Sequence, residues 1–440
     1  MKQTVAVVGL GKVGLPLAVQ YASHGSLVLG CDISEAVVEA VNRSVSPVGG
    51  EAFLAERLAD VHSRGLIRAS IDTAAAVREA DVVVVIVPMM VSPDHQVDYR
   101  AIDSATRAIG AGLRPGTLVV YETTLPVGTT RNRFGAILAE MSHLQPGTDF
   151  SLAFSPERIR TGRIFHDLET YPKVVGGIDD ESTKRAAGFY RSVLDAPVME
   201  VANAETAEMT KLMETAYRDV NIALANEFAV FAAERGIDVR EAIAAANSQP
   251  QSSIHEPGVG VGGHCIPVYP YFLMQDAHAE ELRLSRSARE INDGMADYAV
   301  SLLSRHLGDL RDRDVVILGL AYRADVKEAA FSSALGLMDS LQRVGANVLV
   351  QDPLFSDAEI ERFGARPVSL DEIGRVDAMI LQAYHTEYRM LPDSFFRQAR
   401  VVLDGRGDFA IDQSALGETI VLSIGMPAPS SMVNRVGMPA

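Results

Sequence analysis

Residues 4–14 read TVAVVGLGKVG. Thr4–Val8 is an unbroken run of β-branched and apolar residues, the pattern of a strand covered on both faces in a parallel sheet. Gly9, Gly11 and Gly14 follow in G-x-G-x-x-G spacing, and LPLAVQYASHG continues with helical apolar spacing to a glycine stop at Gly25. Strand, glycine turn and helix in that order predict a dinucleotide-binding βαβ unit. The first two glycines permit the tight turn and the close approach of a pyrophosphate. The third lets helix pack on strand, and the helix N-terminus faces the negative charge. The next strand, Leu27–Cys31, ends at Asp32, eighteen residues beyond Gly14. A carboxylate there accepts hydrogen bonds from ribose hydroxyls and repels a 2′-phosphate, which favours NAD over NADP. Gly9, Gly11, Lys12, Val13, Gly14 and Asp32 are the candidate cofactor contacts, and Cys31 reads as a core residue.

Outward from this unit the alternation continues. Runs 81–87 (DVVVVIV) and 117–121 (TLVVY) read as further buried strands with a helix over 101–113 between them. Their ends deliver loops to the carboxyl edge of the sheet, where ligands bind in doubly wound folds. That edge adds Pro88, Thr123 and Thr124 to the cofactor contacts. Thr129 and Thr130, in the same hydroxyl-rich turn, read equally well as helix N-caps. A short strand at 150–154 runs into SPERIRTGR (155–163), where three arginines around a glycine suit recognition of phosphate or carboxylate and Glu157 is the acid. Lys173–Gly177 completes the sheet of a first domain spanning 1–200.

Ala204–Ala233 lacks Gly and Pro and has helical apolar spacing. A helix of that length spans about 45 Å, bridges domains and suits a dimer contact. Glu208, Lys211 and Thr215 share one face of it, as do Arg218 and Asn221 a turn further on. A short helix at 239–247 and more helix over 271–307 complete a helical middle region, 201–307. Asp314–Leu318, GLAYR (319–323), Asn347–Gln351 and runs 378–383 and 400–404 then spell a second parallel α/β domain, 308–425. The fold class is α/β, with two Rossmann-like doubly wound parallel-sheet domains joined by a long central helix and a helical middle region. Residues 426–440 read as a flexible tail.

Between the long helix and the second domain lies PGVGVGGHCIPVYPYFL (257–273), which holds Cys265, one of two cysteines in 440 residues. Gly258, Gly260, Gly262 and Gly263 allow positive φ and close approach of a ligand, while Pro267 and Pro270 stiffen the exit. The result is a mobile but shaped loop carrying a thiol without an obvious packing role. Reactive chemistry is one reading; a small buried hydrophobe is the other.

Composition narrows the partners. A net charge of −17 argues against nucleic acid. The longest apolar run, 82–91, is about half of a membrane span and is broken by Pro88. Two cysteines make no disulfide framework, and the strand-like start predicts no signal peptide, so the expected compartment is the cytoplasm.

Taken together, GLGKVGLPLA, TTLPVGTT, SPERIRTGR, AEMTKL, GVGGHCIP and GLAYR resemble, in order and spacing, the UDP-glucose/GDP-mannose dehydrogenase family over nearly the whole chain. The resemblance implies two NAD per sugar and oxidation of the C6 hydroxymethyl of a nucleotide sugar to a carboxylate, with no aldehyde released. Cys265 then forms a thiohemiacetal and a thioester; Lys211 lowers the thiol pKa and stabilises oxyanions; Glu157 serves the hydrolytic water, and Thr124 positions it. By the same matches Glu157, Arg158, Ile159, Arg160, Lys211, Arg218, Asn221, Gly262, His264, Tyr322 and Arg323 are substrate contacts, metal is absent, and a homodimer is expected. His264, with Glu208, Arg218 and Asn221, looks like the UDP-N-acetylhexosamine branch; UDP-glucose or another nucleotide hexose is the alternative. Three positions depart from the family pattern: Thr215 stands for an Asn that donates to the oxyanion, Tyr269 for an Asp, and Ala330 for an Arg. A sugar-nucleotide-binding paralogue without catalysis and a two-electron hydroxyacid dehydrogenase are the competing classes.

Overall fold

A computed structural model describes residues 3–92, 94–160, 162–275, 281–407, 409 and 413–427. The tail expected at 426–440 lies outside these residues beyond Pro427. The chain divides into two compact units, Met1–Glu214 with Tyr271–Ala279 and Thr215–Pro270 with Glu280–Ala440.

Among the described residues the first unit has ten strands: β1 Thr4–Val8, β2 Leu27–Cys31, β3 Ile67–Ser70, β4 Val82–Val85, β5 Met90–Val91, β6 Val97–Asp98, β7 Leu118–Tyr121, β8 Ser151–Phe154, β9 Lys173–Gly177 and β10 Val198–Glu200. Eight of them form one sheet in the order β10-β9-β8-β7-β4-β1-β2-β3, and β5 and β6 pair as a small hairpin. Chain order reverses between β1 and β4, so the turns after these two strands flank the crevice at the switch point. All four valines of β4 are buried, as expected of a strand covered on both faces. Every residue of the following helix from Gly14 to Ala22 is buried too, which makes it a core helix rather than an amphipathic one.

Pairing in the sheet is parallel with one exception: β9 runs antiparallel to β8, with Ala153 opposite Gly177 and Phe154 opposite Gly176. The run KVVGG does complete the sheet, but in reverse. Extending that register sets Lys173 opposite Glu157. The first residue of β9 therefore stands at the carboxyl edge of the parallel strands.

The second unit has a six-stranded, all-parallel sheet: β11 Asp314–Leu318, β12 Asn347–Gln351, β13 Arg366–Pro367, β14 Val376–Leu381, β15 Ala399–Asp404 and β16 Ile420–Ser423, ordered β13-β12-β11-β14-β15-β16. Its switch point lies between β11 and β14. Helix Arg283–Leu307 lays Met295, Ala299, Leu303 and Leu307 on the core beside Leu337 and Leu341. Helix Ala204–Ala233 is continuous over 30 residues. Within the second unit a buried polar set fixes it: Arg289 pairs with Asp219 at 2.7 Å, and Asn292 donates to Asp219 and accepts from Asn226. Among the described residues, no helix is long and apolar enough to cross a membrane and no cluster of His, Cys, Asp or Glu could hold a metal ion.

The capping expected of Thr129 or Thr130 is not what the structure uses. Thr129–Phe134 is a π-helical turn whose N-cap is Gly128 at φ +83°, with no side-chain cap of its own. The acceptor comes from the long helix: Glu208 takes hydrogen bonds from Gly128 N at 2.5 Å and Thr130 N at 2.9 Å. A carboxylate reaches two amides that neither threonine side chain caps.

These contacts can be tested by substitution. A Cβ at Gly14 would lie 1.8 Å from Gly9 O, whereas one at Gly11 meets nothing within 4 Å. Gly14→Ala should cost about 3 kcal/mol in urea unfolding and Gly11→Ala no more than about 0.5 kcal/mol. Glu208→Ala strands two buried amides and should cost about 3 kcal/mol. Burial, against the hydrogen bonds from Thr130 and Gly128, raises the Glu208 pKa from 4.5 to about 7. The folded state thus holds that proton more tightly than the unfolded one. Its contribution is full below the unfolded value and lost as pH rises through the folded one, so the gap between wild type and Glu208→Ala should narrow from about pH 5 to about pH 8.

Candidate active site

The glycine turn after β1 is shaped by contacts the sequence pattern implies. Gly9, at φ +97°, places its missing Cβ 2.6 Å from Ile86 O, and Gly14 packs the helix against Gly9 itself. Gly11 has no such neighbour, so protein packing does not account for its lack of a side chain. Asp32, at the end of β2, accepts from Leu10 N and Ser34 N, both at 2.9 Å. These bonds tie the acid to the turn and leave the carboxylate further lone pairs for ribose hydroxyls. The residues present fit a dinucleotide. Lys12 and Pro88 are exposed and Val13 half-buried around the same turn. Cys31 is buried, and burial pushes its thiol up to about 12, as a core residue requires.

Two loops frame the rest of this edge. After β7, Thr123 Oγ1 donates to Val87 O at 2.7 Å, joining the β7 and β4 loops, and Thr124 is buried beside it. After β8, the carboxylate of Glu157 closes its own turn: Oε1 accepts from Arg158 N at 2.7 Å and Ile159 N at 3.1 Å. Its other oxygen accepts from Lys173 Nζ at 2.8 Å, and the same ammonium donates to Glu122 Oε2 at 2.6 Å. Glu122 Oε1 in turn receives the hydroxyls of Tyr21 at 2.9 Å and Tyr190 at 2.6 Å. Sequence reasoning missed Glu122, Lys173, Tyr21 and Tyr190. A lysine opening an otherwise apolar buried strand was the available signal.

The arginines expected to read an anion have partners within the chain. Arg158 reaches Glu214 Oε1 at 2.6 Å and Pro172 O at 3.0 Å, and Arg163 pairs with Asp167 at 3.4 Å. Arg160 is exposed and meets Tyr171 Oη at 3.1 Å. Lys211 is half-buried on the long helix.

In the second unit the cysteine loop is tied down along its length. Gly258 N donates to Asn226 Oδ1, Val259 N to Gly405 O, and Gly263 N to Ala330 O, all within 3.0 Å. Arg406 donates to Gly260 O at 3.0 Å. A Cβ at Gly262 would meet Tyr322 Cβ at 2.7 Å, and Gly263, at φ +92°, lies against the Tyr322 ring. These glycines are needed because loop and ring touch. Cys265 itself is exposed, and its carbonyl accepts from Tyr269 N at 2.9 Å to start the next helical turn. His264 is exposed, with Nδ1 4.0 Å from Glu328. Thr215 is buried. Arg218 is exposed, and Asn221 commits its amide to Ser253 O and His255 N. Arg323 is exposed, its guanidinium 5.7 Å from the Tyr322 ring centroid.

The second sheet repeats the first turn in altered form. Gly319 N donates to Gln351 O at 2.8 Å as Gly9 N donates to Cys31 O, and Asp352 accepts from Leu320 N and Ala321 N as Asp32 accepts from Leu10 N. No second and third glycine follow Gly319 at the spacing of Gly11 and Gly14, so this turn lacks the dinucleotide fingerprint.

Three models of one family match along the chain: the UDP-glucose/GDP-mannose dehydrogenase NAD binding domain over residues 3–194, the central domain over 205–294 and the UDP binding domain over 316–410. The chain is 35% identical over 410 residues to a UDP-N-acetyl-D-mannosamine dehydrogenase of Pyrococcus horikoshii, covering 91% of this chain and 95% of that one. It is 34% identical to an NDP-N-acetyl-D-galactosaminuronic acid dehydrogenase of Ralstonia nicotianae, covering 92% and 96%. A solved structure of UDP-D-ManNAc dehydrogenase from Pyrococcus horikoshii superposes with a TM-score of 0.86 at 33% identity, over 96% of this chain and 99% of that one. With its glycine turn, its acid at the end of β2 and its tethered cysteine loop, the chain belongs to the UDP-glucose/GDP-mannose dehydrogenase family and is an NAD-dependent dehydrogenase.

Proposed function

We propose that this protein oxidises the C6 hydroxymethyl of a nucleotide sugar to a carboxylate, a four-electron reaction, and that the sugar is a UDP-N-acetylhexosamine. The observation that carries the reaction type is Cys265: an exposed thiol at the end of a loop whose backbone is fixed on both sides of it. A rigid carrier with an open thiol suits a covalent step and has little use in packing. Gly9, Gly11, Gly14 and Asp32 would hold NAD, which when bound supplies the hydride acceptor at two stages.

Between those stages the chain's own residues act. Cys265 Sγ adds to the C6 aldehyde, forming the C–S bond while the carbonyl oxygen takes a proton. This keeps the half-oxidised sugar attached. After the second oxidation the product is a thioester; water adds, the C–S bond breaks, and the thiolate is restored as the carboxylate leaves. Lys211 offers a cation to the thiolate and to developing oxyanions, with the Thr215 hydroxyl as a second donor. Glu157 serves the attacking water and Thr124 orients it.

His264 before Cys265 supports an N-acetylhexosamine, and the Pyrococcus and Ralstonia relatives are named for N-acetylated hexosamine derivatives. UDP-glucose is the alternative. Division into an NAD-binding part (1–200), a helical middle (201–307) and a UDP-sugar part (308–425) is proposed on the spacing of the matched domains. A homodimer through the long helix is proposed from its surface: Met213, Tyr217, Leu224, Phe228 and Phe231 are all exposed. At about 100° per residue they fall within an arc of about 60°, an apolar stripe that calls for a cover.

A panel of nucleotide sugars followed by NADH absorbance tests the reading. Two NADH per sugar consumed are expected; one would mark a simple dehydrogenase and none a binding protein. Cys265→Ala should lose net oxidation to acid with NAD affinity retained, and full activity in that variant would end the covalent mechanism. For assembly, light scattering should give twice the chain mass for wild type and the single-chain mass for Phe228→Glu combined with Phe231→Glu.

A further inference from the structure

Glu122, Lys173 and Glu157 carry two carboxylates and one ammonium in a space nearly closed to water. Glu122 is 1% exposed and Lys173 5%, while the Glu157 side chain reaches 11%. A structural ion pair needs one carboxylate; the second leaves a surplus buried negative charge, which is costly unless hydrogen bonds or a proton offset it. Two tyrosine hydroxyls are spent on stabilising that surplus at Glu122 Oε1.

We propose that Glu122 and Lys173 are positioning residues for thioester hydrolysis that act through Glu157. Lys173 keeps Glu157 ionised and aimed, and a proton taken from the attacking water is relayed through the lysine to Glu122. The proposal rests on thioester hydrolysis being part of the reaction. As the water oxygen bonds to the thioester carbon, its proton passes to Glu157 Oε2. Lys173 Nζ accepts that proton as it gives one of its own to Glu122 Oε2, so the lysine ends as it began. One proton has moved from water to Glu122, with no electron transfer, and it returns to solvent after product leaves.

The charges around the triad support this direction. Burial raises the Glu122 pKa to about 7, Lys173 opposing and Glu157 adding to the rise. For Glu157 burial also raises, but the Lys173 charge and the hydrogen bonds outweigh it, and its pKa falls below the ordinary value. Glu157 by itself is therefore a weak proton acceptor, and a resting place with higher proton affinity makes it an effective one. The groups facing Glu122 are Lys173, Glu157, Tyr21 and Tyr190, and the lysine Nζ also lies 5.0 Å from the Tyr190 ring centroid.

The test uses the full-length protein and the best sugar of the panel. In Glu122→Gln the first turnover should still release NADH in a burst, while steady-state turnover falls about 100-fold and mass spectrometry finds the sugar acyl adduct on Cys265. Wild-type steady-state rate should rise with pH through about 7, as Glu122 ionises, and Glu122→Gln should be flat there. Tyr190→Phe removes one donor from ionised Glu122 and should move the wild-type profile up by about one unit. Lys173→Arg should keep more turnover than Lys173→Met. Wild-type rate and pH profile in Glu122→Gln would overturn the relay. So would loss of burst and turnover in equal proportion without adduct, which marks a merely structural role. Failure of the underlying reading shows separately, as wild type that gives fewer than two NADH per sugar or Cys265→Ala that retains both.

Discussion

An ammonium lodged between two carboxylates governs the carboxyl edge of the first sheet. Lys173 can reach Glu157 and Glu122 because β9 enters the sheet antiparallel to β8. Had KVVGG run parallel, its lysine would have stood at the opposite edge, about 15 Å away over five residues. Glu157 would then have kept its two backbone donors and lost its cation, and Glu122 would have been a buried charge with only tyrosines to answer it. Reversal of the sheet's direction at β9, which β10 then follows, thus sets the electrostatics of the loop after β8. The same reversal explains why Pro172 O, just before the strand, is available to Arg158.

A second constraint recurs in both halves. In each, the amide after the first strand's glycine is fixed by an acid at the end of the second strand, through Leu10 and Asp32 in one and Leu320 and Asp352 in the other. Beyond that amide the two turns diverge. Gly11 and Gly14 leave room in the first turn, while the second fills its own with Tyr322, whose ring lies against Gly263. One scaffold device serves a cofactor turn in one unit and a buttress for the cysteine loop in the other. His385, buried and 3.1 Å from Asp352, reinforces the second version.

Much of this architecture could be read from the chain. Runs such as VVVV of β4 have no stable place except inside a sheet, and the glycine fingerprint with Asp32 is a local pattern whose geometry the structure reproduces. The 30-residue helix was legible from the absence of Gly and Pro. Long-range pairing was not legible. Nothing in KVVGG encodes strand direction. The capping of residues 128–130 by Glu208 spans 78 to 80 positions, beyond any local motif. The partners of Arg158 and Asn221 within the chain, Glu214, Ser253 and His255, are equally beyond any local pattern. Polar side chains announce that a partner exists without saying which one.

The departures from the family pattern at Tyr269 and Ala330 become intelligible once the cysteine loop is seen as a backbone object. Tyr269 contributes its amide to Cys265, and Ala330 contributes its carbonyl to Gly263. Both bonds survive any side chain that tolerates the local conformation. Val259 N to Gly405 O and Arg406 to Gly260 O hold the upstream half in the same side-chain-independent way at the loop itself. Exchanging an acid for Tyr269, or an arginine for Ala330, therefore leaves the carriage of Cys265 intact and alters only the groups that project from it. Substitution at those two positions can therefore change the groups beside Cys265 without breaking the backbone bonds that hold its loop.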